Sequence, residues 1–357
     1  MKTDLHDSFI RLIRLGTEAL KDVDIPNDIN WPQIKTLAEE QGLNAIVLDG
    51  IESLPEQSRP PKEFLLQWIG EVLQEEATYS LQSQVAIDVA SLFYKNAITT
   101  FVLKGAVVSE CYPKPNHRVS ADIDCYLLPE KGDFDAWSLG NDLIRTRGFH
   151  VNTDFYKNSS FDISGVNIEN HQYFSPFRGN KRLAEFERVL QALTKQNNED
   201  VIEGTHLYRP PVLVTALFLI EHAYSHFLHE GLTWRHVLDW MMFSRKHQND
   251  FLWTDFEVLV EEYGFKKFYD SFNRLGKYLL GEINDSNLSK VDKKMLADVW
   301  AHLDLHETVR GVKGKLALAG NTWRARWKYH YFADISMLHA LWIQVKGFLF
   351  IKDPKLQ

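Results

Sequence analysis

Apolar residues recur at helical spacing along the first hundred positions of the chain. One such stripe covers residues 5–20, and Trp31-Pro32 opens a second, since proline is tolerated at the first helical position. A longer run over residues 62–95 contains one glycine and no proline, which favours a single extended helix. We therefore predict an N-terminal helical segment over residues 1–96.

From Ala97 onward, short β-branched and apolar runs alternate with turn residues. The predicted elements are strands at 99–103 and 122–128, helices at 106–111 and 133–147, and a hairpin with strands at 160–163 and 166–174. Ser164-Gly165 supplies residue types that a hairpin turn prefers. This order of strands and helices predicts a small α/β domain, which we assign to residues 97–205.

Helical spacing returns after Pro210-Pro211, and residues 206–357 are predicted to form a C-terminal helical domain. The two most apolar windows, 212–220 and 337–350, are shorter than the roughly 18 to 20 residues that a membrane-spanning helix needs. We therefore expect buried helices rather than membrane spans. The complete pattern predicts an α+β protein, in which a small mixed sheet is flanked by N-terminal and C-terminal helical segments.

The charge balance is mildly acidic, with 40 Lys and Arg residues against 48 Asp and Glu residues and a formal net charge of -8. This balance disfavours a long nucleic acid as a partner. The chain has 2 cysteines, Cys111 and Cys125, which excludes a disulfide framework and a four-cysteine zinc site. Because the N-terminus has no secretory pattern, we expect a cytoplasmic protein without a membrane partner.

The most informative stretch runs from Lys104-Gly105 to Asp122 and Asp124. Residues two apart in a strand point to the same face, so these two carboxylates are expected to project together. Adjacent carboxylates repel unless a cation lies between them, and hard oxygen ligands favour Mg²⁺ or Mn²⁺. A glycine after a strand lets a phosphate approach the backbone at a helix start, and Lys104 adds a positive charge there.

This pattern resembles the nucleotidyltransferase superfamily with a DNA polymerase β type of catalytic domain, and in particular its uncharacterised bacterial branch. That branch is marked by Leu-Lys-Gly, a tyrosine-proline turn and Arg-x-x-x-Asp-x-Asp. The matching positions are Leu103, Lys104, Gly105, Tyr112, Pro113, Arg118, Asp122, Ile123 and Asp124. Further matches are Trp31, Leu37-Ala38, Glu169 with His171, His222-Ala223 with His226, and Trp234-Arg235 with Asp239. The resemblance therefore spans residues 31–240.

The resemblance implies metal-dependent transfer of a nucleoside monophosphate from an NTP to an acceptor hydroxyl, with release of pyrophosphate. It also implies three carboxylates that are both catalytic and metal-binding, with Mg²⁺ or Mn²⁺ as the cofactor. Asp122 and Asp124 are two of them, and Glu169 is expected to be the third. In an alternating strand that turns Val166 towards the core, Glu169 faces the cleft. Asp162, on the other strand of the hairpin, is the rival for the third position.

Nucleotide-binding residues are expected to be Lys104, Gly105, Arg118 and Ser120. Lys-Gly stands where the wider superfamily has Gly-Gly or Gly-Ser, which leaves Lys104 to replace the missing hydroxyl contact to phosphate. The NTP is one substrate, and the acceptor stays open between a small molecule, a protein and a tRNA end. The acidic net charge favours the first two.

His222 and His226 are four residues apart in a predicted helix and therefore share one face. A zinc protease needs glutamate directly after the first histidine, but Ala223 stands there, and no third ligand is evident. Two interpretations stay open. The histidines are packed inside a helical bundle, or they form a cleft wall with His171 and Arg235 that contacts phosphate or acceptor. Neither interpretation predicts stoichiometric zinc.

A second hypothesis for the whole chain is a catalytically degenerate domain that binds a nucleotide or a partner without turnover. Such a domain could belong to a toxin-antitoxin or regulatory pair. The presence of Asp122, Asp124 and Glu169 argues against this hypothesis, because a binding module has no need of three acidic residues in that pattern.

Overall fold

The structure is a computed structural model of the 357-residue chain. It describes residues 2–21, 25–26, 28–177, 179–196, 200–250, 253–301, 325–333, 336–339 and 342. Its architecture is α+β, as the sequence predicts. The apolar window at 337–350 lies almost entirely outside the described residues, so the helix predicted there stays a prediction. Among the residues described, no helix combines the length and the apolar character needed to cross a bilayer.

The N-terminal region is helical, as expected. Its helices are α1 (Lys2–Gly16), α2 (Trp31–Glu40), α3 (Asn44–Glu52) and α4 (Lys62–Tyr94). The start of α2 is fixed by Asn30, whose side chain accepts a hydrogen bond from the backbone amide of Gln33, and by Pro32 in the first turn. Helix α4 has 33 residues, so it is about 50 Å long and reaches from the helical region to the sheet.

The sheet of the described chain has five strands in the order β3-β4-β2-β1-β5. The elements of this region are β1 (Ile98–Val102), α5 (Lys104–Ser109), β2 (Ile123–Pro129), α6 (Ala136–Thr146), β3 (Asn158–Ile163), β4 (Val166–His171), α7 (Lys181–Gln196) and β5 (Leu207–Tyr208). Strand β2 runs antiparallel to β1 and parallel to β4. The β3-β4 hairpin turns at Ser164 and Gly165, which both have positive φ, as a two-residue turn of this kind requires.

Strand β5 was not predicted, because two residues are too few to show alternation. It pairs in parallel with β1 and lies just beyond residue 205, where the α/β domain was predicted to end. The C-terminal region is helical. Its described helices are α8 (Val212–His229), α9 (Trp234–Lys246), α10 (Trp253–Glu262), α11 (Lys266–Leu279), α12 (Lys290–Ala301) and α13 (Arg326–Phe332).

Side chains alternate between the two faces of the sheet along each strand, and each face packs in its own core. On β2, Cys125 and Leu127 pack with α4 and α6 in one core. Tyr126 and Leu128 point the other way, into a second core that contains residues of α8 and α9. Asp124 has the parity of this second set, so its carboxylate faces the C-terminal helices.

The second core is shared by helices from the two ends of the chain. It joins apolar residues of α1, α2 and α3 to those of α8, α9, α11 and α12. Hydrogen bonds cross the same boundary: Arg14 donates from Nε to the Leu279 carbonyl over 2.8 Å, and the Trp234 amide donates to Gln41 Oε1 over 2.7 Å. The predicted N-terminal and C-terminal segments therefore pack as one helical body.

Candidate active site

A cleft lies between α8 and α9 and the sheet face that carries Asp124. It holds a first cavity of about 470 Å³ and a second cavity of about 500 Å³. The side chains that line both cavities are Lys104, Asp122, His222, His226 and Glu230. The first cavity is also lined by Arg118, Ser120, Arg235, His236 and Asp239, and the second by Asp124, Lys157, Glu169, His171 and Glu221. Most of the residues predicted for the site therefore meet in one cleft.

Asp124, Glu169 and His171 form a compact set that we term the carboxylate group. Asp124 on β2 lies directly opposite Glu169 on β4 in the parallel pairing. His171 Nε2 lies 2.9 Å from Asp124 Oδ1 and 3.5 Å from Glu169 Oε2. One nitrogen or oxygen atom from each of the three residues lies within 4.8 Å of the others. The strand register thus brings two carboxylates and one imidazole together.

Asp122 lies beside this group but is not part of it, since β2 begins one residue later at Ile123. The pKa values of the three carboxyl groups are shifted in different directions. Burial raises the pKa of Asp122, and the negative charge of Asp124 raises it further. Burial also opposes the charge of Asp124, but Lys104 and His171 outweigh it and lower the pKa of Asp124. The hydrogen bond with His171 lowers the pKa of Glu169 against the effect of burial.

Lys104, the first residue of α5, connects the two sides of the cleft. Its Nζ lies 3.2 Å from Asp124 Oδ2 and 3.4 Å from His222 Nε2. Burial disfavours the ammonium charge, but the charges of Asp124 and Asp122 outweigh burial and raise the pKa of Lys104. Lys104 is therefore a largely buried cation, with its side chain 17% exposed, that is held by the carboxylates of the sheet.

The carboxylate group fits a divalent cation that prefers hard ligands. Oδ2 of Asp124 is buried and, apart from its ion pair with Lys104, has no hydrogen-bond partner among the described residues. An ion near this oxygen would also offset the repulsion between Asp124 and Asp122. Carboxylate oxygens are the ligands that Mg²⁺ and Mn²⁺ favour. The rival Asp162 is exposed on β3, which β4 separates from β2, so it lies apart from this group.

Gly105 and Ser120 contact each other across the turn before β2. A Cβ atom at Gly105 would lie 3.0 Å from Ser120 Oγ, and that hydroxyl donates to the Asp122 carbonyl over 2.9 Å. The two residues line a small cavity of about 40 Å³ with Arg118 and Asp122. The structure therefore gives both residues a packing role, which supports the backbone on which Asp122 is carried.

Arg118, predicted to bind nucleotide, is engaged by a carboxylate. It is buried and donates from Nε and Nη2 to both oxygens of Asp239, over 3.1 and 2.7 Å. The Tyr112 hydroxyl donates to the same carboxylate over 2.7 Å. Charge-assisted bidentate pairs of this kind fix geometry. Arg118 therefore ties the loop before β2 to α9, with only part of its surface towards the first cavity.

Arg235 is differently placed. Its Nη1 donates to the Val119 carbonyl over 3.1 Å, and within the described chain it forms no ion pair with a carboxylate. Burial lowers the pKa of Arg235, and the nearby charge of Arg118 acts in the same direction. Among the cations described around the first cavity, Arg235 is thus the one whose charge is left for a ligand.

Three imidazoles on the helix side form a set that we term the histidine group: His222, His226 and His236. One ring nitrogen from each lies within 4.8 Å of the others. Burial lowers the pKa of all three, most strongly at His222 and His236, and neighbouring positive charges contribute. The rings are therefore uncharged near neutral pH. They form part of the cleft wall, so the interpretation as fully enclosed core side chains does not describe them.

The sequence analysis did not assign His236, Lys157, Glu221 or Glu230 to the site. His236 lies in the first turn of α9, where its Nδ1 receives the Thr233 amide in a capping box. The pattern Thr-x-x-His before an apolar run is a readable signal for a helix start. It could have placed His236 next to the end of α8. Lys157 and Glu221 carry no local pattern that marks them.

A family model described as an uncharacterised nucleotidyltransferase matches residues 27–281 of the chain. This range includes the carboxylate group, Lys104, the histidine group and the Arg118–Asp239 pair. Neither a search of curated proteins nor a search of solved structures gives a match. The family match agrees with the resemblance seen in the sequence and covers more than half of the chain.

Proposed function

The chain belongs to this family of uncharacterised nucleotidyltransferases, and from that premise we propose the reaction and the roles of its residues. The protein transfers a nucleoside monophosphate from an NTP to an acceptor hydroxyl and releases pyrophosphate, with Mg²⁺ or Mn²⁺ as cofactor. The observation that carries this proposal is the pairing of Asp124 with Glu169 on adjacent parallel strands, at a cleft wide enough for two substrates.

Asp122, Asp124 and Glu169 would hold the divalent ion. When bound, such an ion supplies positive charge to the reacting phosphate and to the attacking oxygen. Glu169 then accepts the proton of the acceptor hydroxyl, because its lowered pKa leaves it ionised at neutral pH. His171 positions both carboxylates through its short contacts to Asp124 and Glu169.

The linings of the two cavities suggest which substrate binds in each. Lys104 and Arg235 both line the first cavity, and the charge of Arg235, which is not paired with a carboxylate of the described residues, suits a triphosphate. Arg118 and Ser120 shape the wall of this cavity, and Gly105 packs behind Ser120. Glu169, the proposed base, lines the second cavity, so the acceptor enters there. Catalysis then comes from positioning the two substrates and from neutralising charge, as in other phosphoryl-type transfers.

The acceptor cavity is polar, which favours an acceptor rich in hydrogen-bonding groups. Its lining includes Asn152, Asp154, Asn158 and Ser160. With a net charge of -8, the protein is better suited to a small molecule or a protein acceptor than to a long nucleic acid. A tRNA end remains within this proposal, because Lys104 and Arg235 form a local basic site.

The test is label transfer with the purified full chain. It is incubated with Mg²⁺ or Mn²⁺, each of the four α-labelled NTPs, and fractions of small metabolites, proteins or tRNA. We expect pyrophosphate release together with label in one fraction. Asp124→Asn should abolish both signals, whereas Asp162→Asn, at an exposed position of the edge strand β3, is the matched control and should retain them.

Two outcomes contradict the proposal. Nucleotide binding that depends on Mn²⁺ and Asp124 but gives no pyrophosphate with any fraction would favour the degenerate binding domain. Equal label transfer by wild type and Asp124→Asn would show that the activity arises elsewhere.

A further inference from the structure

We propose that His222, His226 and His236 bind a transition-metal ion of the zinc class, at a site separate from the carboxylate group. Three neutral nitrogen donors that converge on one cavity wall are typical of zinc sites in which a fourth position stays open. The sequence argued against zinc because no third ligand was evident. The fold supplies that ligand from the next helix.

The backbone brings the three rings together. His222 and His226 are four residues apart on α8 and therefore share a face, with ring centroids 4.4 Å apart. His236 enters from the first turn of α9, and its ring centroid lies 4.8 Å from that of His226. One nitrogen atom of each ring lies within 4.8 Å of the other two, so small rotations of the rings would allow all three to contact one ion.

In two of the rings, the Nδ1 atom contacts a side-chain oxygen that fixes the orientation of the ring. His226 Nδ1 lies 2.9 Å from Glu230 Oε2, and His236 Nδ1 lies 2.9 Å from Thr233 Oγ1. The contact with Glu230 leaves the Nε2 atom of His226 for an ion. At His236, Nδ1 also accepts the Thr233 amide over 3.2 Å, so an ion at Nε2 requires the tautomer in which Nδ1 donates to the Thr233 hydroxyl instead. Metal-binding histidines usually have the other ring nitrogen bonded to a carboxylate or another oxygen acceptor, which fixes the ring and raises its basicity as a ligand.

The ligand types separate this site from the carboxylate group. Imidazole favours Zn²⁺, Co²⁺, Ni²⁺ or Cu²⁺, whereas the carboxylates of Asp124 and Glu169 favour Mg²⁺ or Mn²⁺. All three histidines line the first cavity, so the open ligand position can be reached from it. An anionic oxygen, such as that of a phosphate, is the ligand that the fourth position would take.

Lys104 opposes metal binding by the histidine group. Its ammonium lies 3.4 Å from His222 Nε2, where it repels a nearby metal cation. Removal of this charge should therefore strengthen metal binding by the histidine group. The inference does not rest on the proposed transferase activity, because it concerns binding of a metal alone.

The experiment titrates Co²⁺ and Zn²⁺ into the tag-free, EDTA-treated full chain in the presence of excess Mg²⁺. Visible absorption reports bound Co²⁺, and elemental analysis after dialysis reports the Zn²⁺ content. We expect one ion per chain. His236→Gln is the central variant, because glutamine at this position can still close the capping box of α9 but offers no imidazole. It should weaken binding by at least about tenfold.

The controls separate this site from its neighbours. His247→Gln removes an imidazole at the end of α9, away from both cavities, and Glu169→Gln changes the carboxylate group without removing the ion-pair partner of Lys104; both should retain Co²⁺ binding. Glu230→Gln should weaken binding by about tenfold, and Lys104→Met should strengthen it. Absence of uptake by wild type would overturn the inference, as would uptake that His236→Gln retains or that Glu169→Gln loses.

Discussion

The two sides of the cleft, the sheet on one side and helices α8 and α9 on the other, differ in how burial affects the charge of their ionisable groups. On the sheet side, contacts with Lys104 and His171 lower the pKa values of Asp124 and Glu169 despite their burial. On the helix side, the imidazoles are uncharged, and Glu221 is buried with its pKa raised to about 7. Sheet neighbours are fixed by register, so charges can be placed in pairs. The helix side is assembled from α8 and α9, and burial there keeps the imidazoles neutral and disfavours the charge of Glu221.

The largest expected effect distinguishes the two aspartates of the sheet side. Asp124→Asn leaves the Lys104 ammonium buried without its main partner, so we expect the free energy of unfolding to fall by about 3 to 5 kcal/mol. Asp122→Asn removes a repulsion and should leave stability unchanged or slightly higher. Urea unfolding of both variants without added metal measures this difference. Equal stability of the two variants would refute the charge balance described for Lys104.

The next effect distinguishes two arginines of the first cavity. Arg118→Met leaves Asp239 buried and unpaired, and we expect a loss of about 3 kcal/mol in unfolding free energy. Arg235→Met should change stability little, because no carboxylate loses a partner. It should instead weaken the binding of an Mg²⁺-NTP complex by about tenfold, which corresponds to about 1.4 kcal/mol. Calorimetry measures the binding of the Mg²⁺-NTP complex to both variants, and thermal melts measure their stability. A reversal of the two effects would show that Arg118 binds the phosphates.

The pH dependence of stability should have opposite signs for Glu221 and for the sheet-side carboxylates, whereas the lowered pKa values of the three histidines of the histidine group act in the same direction as those carboxylates. The folded pKa of Glu221, about 7, lies above its unfolded value of 4.5. The stabilisation from Glu221 is therefore complete below the unfolded value and is lost as the pH rises through 7. Asp124 and Glu169 have lowered pKa values, so their contribution is lost as the pH falls below their unfolded values.

The substitution Glu221→Gln isolates the contribution of Glu221 to the pH dependence of stability. At pH 8 we expect the variant to be more stable than wild type by about 1 to 3 kcal/mol, and at low pH the two should agree. Chemical denaturation at a series of pH values measures the gap. A gap that does not change with pH would mean that Glu221 is not the titrating group.

The smallest effect concerns Gly105. Alanine has the better helix propensity by about 1 kcal/mol, but its Cβ would press on Ser120 Oγ at 3.0 Å, so stability should change by less than about 1 kcal/mol. Gly140→Ala is the contrasting control, because its Cβ would meet Leu127 Cδ1 at 2.4 Å and should destabilise more. If Gly105→Ala greatly weakens NTP binding at unchanged stability, close approach of a phosphate is the reason for glycine.

The sheet side could be predicted because its signals are local. Alternation along 166–171 indicated which way Glu169 points, and two-residue spacing suggested that Asp122 and Asp124 lie together. The structure places Glu169 opposite Asp124, but Asp122 precedes the strand. Strand ends depend on backbone pairing with β1 and β4, which periodicity does not encode.

The helix side could be predicted only in part. Helical spacing placed His222 and His226 on one face, but the third imidazole comes from α9, and the contact depends on how α8 and α9 pack. The same holds for Arg118, whose partner Asp239 is 121 residues away. A sequence motif suggests which residues matter, but it does not show whether a cation faces a ligand or a carboxylate.

The shared helical core has a consequence for the order of folding. Helices α1, α2 and α3 bury their apolar faces against residues that are synthesised some two hundred positions later, as the Arg14 contact with Leu279 illustrates. Contacts between distant parts of a chain form late, because a long loop must close first. We therefore expect the early helices to expose apolar surface during synthesis until α11 emerges.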